Sequence, residues 1–518
     1  MMRACLAGLL ALVLGACAQR SAWTLPVRDV TPQQLALTAP AGRLPGIARP
    51  EAYRADLDLD PRETHFSGHV EIDIRMQGAA TGLWLHGDGL HVSAVTATAG
   101  GETVEATWTE MPGMGVVWVG FPRRLEARRV TLAVDYEAPF NTSLAGLFRV
   151  GSQGRFYALA KSESTEARRF LPGFDEPAFK AVFELSITVP AGMHAIANTP
   201  EVSRAPARAG FETIRFAPTR PLPTYLLSAS VGEFDRVERP AIPANGVRRR
   251  EVPLTGYARA GKGEELGYAL ALTPSVVRAF EEMLGEPYPY PKLDLVAAPE
   301  WPSGATELAG AITYRESRIL KPPNAGPAFI RSLTELHVHE IAHMWFGNLV
   351  TPPWWNDLWL KESFAVWSES AVLALLVPDG DNGVGSVVDG LSAMSADSLA
   401  SARAVAGPVL RNEDIRSAYD AITYSKGQAV IRMVDQYFTP ERFRPALGRY
   451  IARFADGNAD SADFFEAISE ATGEPAIGRV FESFVTKPGV PVVEAGLTCK
   501  PTGPEIAQIG RASCRERV

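Results

Sequence analysis

His339, Glu340 and His343 stand in the stretch HEIAHMWFGNLVT at residues 339–351. The chain carries only eight histidines, and three of them, His337, His339 and His343, fall within seven residues. Apolar packing gives no reason for that concentration. On an α-helix, residues four apart lie on one face, one turn above the other. His339 and His343 can therefore aim two imidazole nitrogens at one point, at the roughly 2.0–2.1 Å that zinc requires. Glu340, on the adjoining edge, is placed to hold a water at the metal without ligating it. His337 points off that face and reads as a packing residue or a support for the site.

A catalytic zinc takes a third protein ligand and keeps a fourth position open. Glu362 lies in WLKESFAVWSE, with eighteen residues between it and His343. An antiparallel helix joined by a loop at 349–354 brings it back to the metal. Glu369 is seven residues further, two turns along the same face. It can accept a hydrogen bond from a ligand imidazole; a solvated carboxylate is the other reading. The set implies one Zn2+ per chain.

The stretch HEIAHMWFGNLVTPPWWNDLWLKESFA resembles the zinc signature of the aminopeptidase N family, the gluzincin aminopeptidases that include the leukotriene-hydrolase branch. Further segments resemble the family in the same order: 167–190, 288–301, 304–317 and 418–434. The resemblance covers roughly residues 50 to 500. It implies a multidomain α+β protein. An N-terminal antiparallel, saddle-like β domain would precede a thermolysin-like, mainly helical zinc peptidase domain.

The resemblance also implies roles. Glu340 is the general base and Tyr424, in TYSKG, the donor to the oxyanion; without the family, Tyr424 would read as an ordinary core or surface tyrosine. Tyr419 matches a second active-site tyrosine of the leukotriene-hydrolase branch. The family motif Gly-Ala-Met-Glu-Asn appears as Gly304-Ala305-Thr306-Glu307-Leu308. Gly304 and Ala305 would bind substrate, and Glu307 with Glu163 would hold its free α-ammonium. Thr306 and Leu308 depart from the motif, which puts backbone positioning and the pocket for the first side chain in doubt. The implied activity is removal of the N-terminal residue from peptides with a free amino end. Two alternatives stay open: a zinc endopeptidase with the same metal site, and a catalytically lapsed, membrane-tethered peptide-binding protein.

The elements that must position these residues follow from periodicity. From about 50 to 235 the period is two: HVEIDIRM (69–76) and FELSITV (183–189) alternate apolar with polar residues, as strands with one solvated face do. Near 263 the period changes. Residues 263–284 read as a helix that Pro274 should kink or divide. KLDLVAAPE (292–300) is a short strand. Helices follow over 328–346, capped at Gly347-Asn348, and over 355–376, with further helical runs at 424–438 and 461–472. After Pro488-Gly489, VPVVEAGLTCK reads as the first strand of something else.

The 518 residues carry a formal net charge of −8, which argues against nucleic acid as a partner. The one basic run, Arg248-Arg249-Arg250, reads as a solvated turn or strand edge. MMRACLAGLLALVLGAC reads as an export leader: Arg3, then an apolar run from Cys5 to Val13. Leu14-Gly15-Ala16-Cys17 resembles a bacterial lipobox, so Cys17 would carry lipid and tether the chain to a membrane facing the periplasm. Ala18 after it carries no inner-membrane retention mark. An ordinary secretory signal cut nearby is the other reading. The expected organisation is a leader (1–16), a tether (17–48), a β domain (49–236), a catalytic domain (237–488) and the start of a further domain (489–508). Residues 509–518, IGRASCRERV, fit no expected element and read as an artefactual tail or a frayed terminus.

Overall fold

The computed structural model describes residues 23–26, 31–377, 384–500 and 503–513. The leader and Cys17 lie outside these residues.

The N-terminal region is built on an eight-stranded sheet whose centre includes Ala48–Asp58, His65–Met76 and Arg129–Pro139. The two-residue period has the expected result. Val70, Ile72 and Ile74 are buried on one face, while Arg54 on the neighbouring strand pairs with Glu71 and Asp73 on the other. One pairing departs from the antiparallel expectation: Val182–Pro190 runs parallel to Ala48–Asp58. More than a hundred residues separate them, ample for the crossover that parallel strands need. A second, four-stranded sheet contains Gly146–Ser152 and Arg155–Lys161. Its end at Lys161 delivers Glu163 to the domain boundary.

The expected tether is partly built into the fold. Trp23–Pro26 pairs with Val116–Leu125. A short helix α1 (Pro32–Ala36) is capped by Thr31. Leu35 and Leu44 are buried, and the Arg43 guanidinium lies 5.0 Å from the Trp354 ring centre. The segment lacks a period because it docks through isolated anchors rather than through one face.

The expected boundary at 236/237 falls inside the strand Phe234–Ile242. That strand opens a five-stranded sheet continued by Val252–Arg259, Leu293–Ala298, Ala311–Arg315 and the edge strand Ala305–Thr306. Leu293–Ala298 is buried along its whole length and flanked by parallel neighbours, so it shows a continuous apolar run instead of alternation. Helix α2 (Gly267–Leu284) follows a 3-10 turn and runs on through Pro274 undivided, ending at Gly285 in the left-handed conformation. The basic run is not solvated throughout: Arg248 is 2% exposed and its Nε lies 2.7 Å from Oε1 of the buried Glu281 on α2. Only Arg249 and Arg250 face solvent.

Beyond a short helix α3 (Glu316–Ile319) come α4 (Pro327–Ala342), α5 (Trp359–Leu376), α6 (Val384–Asp397) and α7 (Gly427–Phe438). Trp345, Trp359, Phe364 and Trp367 fill the space around the α4–α5 pair. No helix among the described residues is long and apolar enough to cross a membrane. Pro491–Lys500 forms the expected strand and pairs with Gly503–Ser513, so Ile509–Ser513 belongs to an element after all.

Candidate active site

Helix α4 starts with Pro327 in its first turn and buries Leu333, Val338, Ile341 and Ala342. That face fixes its rotation and turns His339 and His343 into the cleft. The helix ends at Ala342, about four residues earlier than expected, but His343 keeps helical dihedrals (φ −60°, ψ −21°). The two imidazoles therefore still sit one turn apart on one face, edge to face, with ring centres 4.9 Å apart. Gly347 then reverses the chain at φ +114°, a conformation that glycine adopts readily.

Helix α5 packs against α4 and carries Glu362 in its first turn. Glu362 Oε2 lies 3.5 Å from His339 Nε2 and 3.7 Å from His343 Nε2. Each outer nitrogen has its own acceptor: Glu369 Oε1 at 2.9 Å from His339 Nδ1, and the Phe346 carbonyl at 3.0 Å from His343 Nδ1. With a proton on each Nδ1, both Nε2 lone pairs converge on a carboxylate oxygen. Facing lone pairs at that distance repel unless a cation lies between them. Tetrahedral zinc with bonds near 2.1 Å separates its ligand atoms by about 3.4 Å, which this triad matches. His339, His343 and Glu362 thus fit a zinc ion. Burial resists charging the His339 imidazole, but Glu362 and Glu369 raise its pKa well above the usual value, so proton and metal compete for the same nitrogen.

Glu340 is 4% exposed, and its Oε2 has no hydrogen-bond partner among the described residues. Burial, followed by the neighbouring Glu307, Glu362 and Glu163 against the pull of His339, raises its pKa well above the carboxylate range. His337 is a packing residue, buried between the Thr273 hydroxyl (2.9 Å) and the Tyr314 hydroxyl (2.8 Å).

Tyr424 sits in a π-helical turn, Ile422–Lys426, immediately before α7. Its ring lies nearly parallel to that of His339, 6.4 Å away. Burial, then the charge of Glu362, raises the phenol pKa far above its usual value, so the hydroxyl keeps its proton. Tyr419 reaches the same cleft, with its hydroxyl 2.8 Å from Ser164 Oγ and 3.2 Å from Glu163 Oε1.

Glu307 is buried in the loop after the edge strand Ala305–Thr306, and its carbonyl accepts from Asn348 Nδ2 at 2.7 Å. Gly304 precedes that strand and accepts through its carbonyl from the Arg315 N–H. The two departures from the family motif face inward. The Thr306 hydroxyl accepts from Trp301 Nε1, and Leu308 is fully buried beside Trp301 and Phe148 in a separate apolar cluster. Neither side chain opens into the cleft.

Lys361 was not anticipated. Its ammonium is 1% exposed and contacts three carboxylates: Glu163 Oε1 at 2.6 Å, Glu362 Oε1 at 3.0 Å, and Glu307 Oε1. Lys161 adds a contact to Glu163 Oε2 at 3.0 Å. Burial opposes ionisation of Glu163, but Lys361 and then Lys161 hold its carboxyl down at about 2. The signal was the expected gathering of acids itself, since Glu163, Glu307 and Glu362 in one cleft require a counter-cation and Lys361 adjoins a ligand.

The peptidase family M1 domain matches residues 268–484, and the peptidase M1 N-terminal domain matches residues 49–226. Aminopeptidase M1-A of Oryza sativa subsp. japonica is 32% identical over 465 residues, covering 88% of this chain and 52% of that protein. The puromycin-sensitive aminopeptidase of Caenorhabditis elegans is 31% identical over 462 residues, covering 87% and 48%. Probable aminopeptidase 1 of Saccharolobus solfataricus is 33% identical over 352 residues, covering 68% and 44%. The chain spans about half the length of the curated relatives it matches. With both domains matched in order and the histidine–glutamate site in place, the chain belongs to peptidase family M1.

Proposed function

We propose that the protein is a zinc-dependent aminopeptidase that releases the first residue of peptides bearing a free amino end. The observation that carries this reading is the position of Glu163 and Glu307: two largely enclosed carboxylates from different domains, both held by Lys361 beside the metal triad. An endopeptidase has no ammonium to place there. His339, His343 and Glu362 would hold a zinc ion, which would supply polarisation of a scissile carbonyl and a lowered pKa for a bound water.

The remaining steps belong to the chain's own groups. Glu163 and Glu307 accept hydrogen bonds from the substrate's α-ammonium and set the first peptide bond at the triad. Gly304 and Ala305, where the chain enters the edge strand Ala305–Thr306, lie alongside the substrate backbone. Glu340 Oε2 accepts a proton from the water that adds to the carbonyl carbon. It returns that proton to the leaving nitrogen as the C–N bond breaks. Tyr424 donates its hydroxyl proton in a hydrogen bond to the carbonyl oxygen as that oxygen gains charge. Tyr419 braces Glu163, and Glu369 orients His339.

The leader and lipobox-like Leu14-Gly15-Ala16-Cys17 support an exported lipoprotein, anchored through Cys17 and facing the periplasm. Radiolabelled palmitate incorporated into the wild type but not into Cys17→Ser tests that part. For the activity, mass spectrometry of a digested hexapeptide should show successive losses from the amino end only. Internal fragments would favour an endopeptidase, and an intact peptide a binding protein.

A further inference from the structure

Ser363 follows the metal-ligand position Glu362 in the first turn of α5, yet its side chain serves a different element. It is fully buried, and its hydroxyl donates to the Thr423 carbonyl at 2.6 Å. That carbonyl belongs to the peptide unit joining Thr423 to Tyr424, the unit from which the Tyr424 side chain departs. The surrounding turn is irregular. In an α-helix the Gly427 N–H would bond to Thr423; here it donates to Ile422, five residues back, and to Tyr424. Such π-turns are held only by specific contacts, and they concentrate at functional sites.

Two further contacts fix the turn. Arg403 clasps the Asp420 carboxylate and the Thr423 hydroxyl. Asp420 in turn accepts from the N–H groups of Ile422 and Thr423 at 2.9 and 3.1 Å. Residue 427 must lack a side chain, because a β-carbon there would collide with the Ser363 hydroxyl. The close approach of α5 to the π-turn therefore depends on a serine at one position and a glycine at the other.

We infer that Ser363 is a positioning residue that registers the Tyr424 hydroxyl against the metal triad, by tying the peptide plane of Tyr424 to the residue next to Glu362. This rests on Tyr424 being the oxyanion donor. Ser363 touches neither substrate nor metal. Its effect reaches the reaction through the backbone alone, and it belongs to the transition state rather than to substrate binding.

The test compares Ser363→Ala, Tyr424→Phe and the double variant in the zinc-loaded, full chain, with a free-amine aminoacyl anilide as substrate. Misplacing a catalytic group by a fraction of an ångström is expected to lower kcat about tenfold in Ser363→Ala, with KM within about twofold. Zinc content should stay at the wild-type value. In the Tyr424→Phe background, the serine change should add less than about a twofold loss, because residues acting as a unit are not additive. Ser363→Cys, which keeps a weak donor, should have a kcat between wild type and Ser363→Ala; it carries the test if the alanine variant lowers the melting point. Tyr424→Phe at wild-type kcat would overturn the reading of Tyr424 and this inference with it. A slow Tyr424→Phe beside a wild-type Ser363→Ala, or losses that multiply in the double variant, would overturn this inference alone.

Discussion

Lys361→Met removes one buried ammonium and leaves Glu163, Glu307 and Glu362 facing one another. Lys361 and its partners are nearly inaccessible: 1% exposure for the lysine, 10% for Glu163 and about 5% for the other two. Stripping a buried charge network of its cation typically costs about 3–5 kcal/mol. The Glu163 carboxyl points the same way: despite burial, Lys361 and then Lys161 depress it from 4.5 to about 2, so its charged form favours the fold. The sign follows from the depression. The contribution is complete above the unfolded value near 4.5 and is lost as pH falls through about 2. Urea midpoints of Lys361→Met should therefore fall well below wild type across pH 6–8, and the deficit should shrink below pH 4.5. In a double-mutant cycle with Glu163→Gln, the two losses should be strongly non-additive. Wild-type stability at pH 7, or a deficit that grows as the pH falls, would refute the assignment of Lys361 as the counter-charge of this pocket.

Three other substitutions probe separate parts of the site and fold. Glu340→Gln should retain zinc by metal analysis while kcat falls about a hundred- to ten-thousandfold, since the base is lost and no ligand is touched. Glu369→Ala should weaken zinc affinity about 10- to 100-fold in a chelator competition, because His339 Nδ1 loses its acceptor. Burial raises the Glu176 carboxyl to about 7, against the Leu44 N–H and Arg168. A raised acid adds stability fully below its unfolded value of 4.5 and loses it as pH climbs through 7. Glu176→Gln keeps the acceptor for Leu44, so it should match wild type near pH 4 and exceed it at pH 8 by up to about 3 kcal/mol.

The metal triad was legible because helical geometry turns a four-residue spacing into adjacency, and α4 and α5 bring Glu362 back across a short loop. Glu369 was legible for the same reason, two turns along α5. Glu163, Glu307, and the pair Tyr419 and Tyr424 were not legible from spacing, since they come from three separate segments that only the tertiary fold unites. The family resemblance located them. Lys361 escaped because a lysine beside a glutamate ordinarily reads as a solvated pair. Arg248 escaped for a related reason, its partner Glu281 being 33 residues away on α2. Local composition also could not show that Leu308 turns into a core with Phe148 and Trp301, or that Leu35 and Leu44 anchor a stretch without periodicity. The strand Leu293–Ala298 was found, but the sheet around it was not, because parallel buried strands lack the alternation that marks the N-terminal sheet.

Recognition of a free amino end by Glu163 and Glu307 is best tested with a matched pair of substrates, an aminoacyl anilide and its N-acetylated form. The zinc-loaded protein should cleave the free amine with kcat/KM at least about a hundredfold higher, the scale expected when buried carboxylates lose a charged partner. Comparable rates on the two substrates would contradict the account.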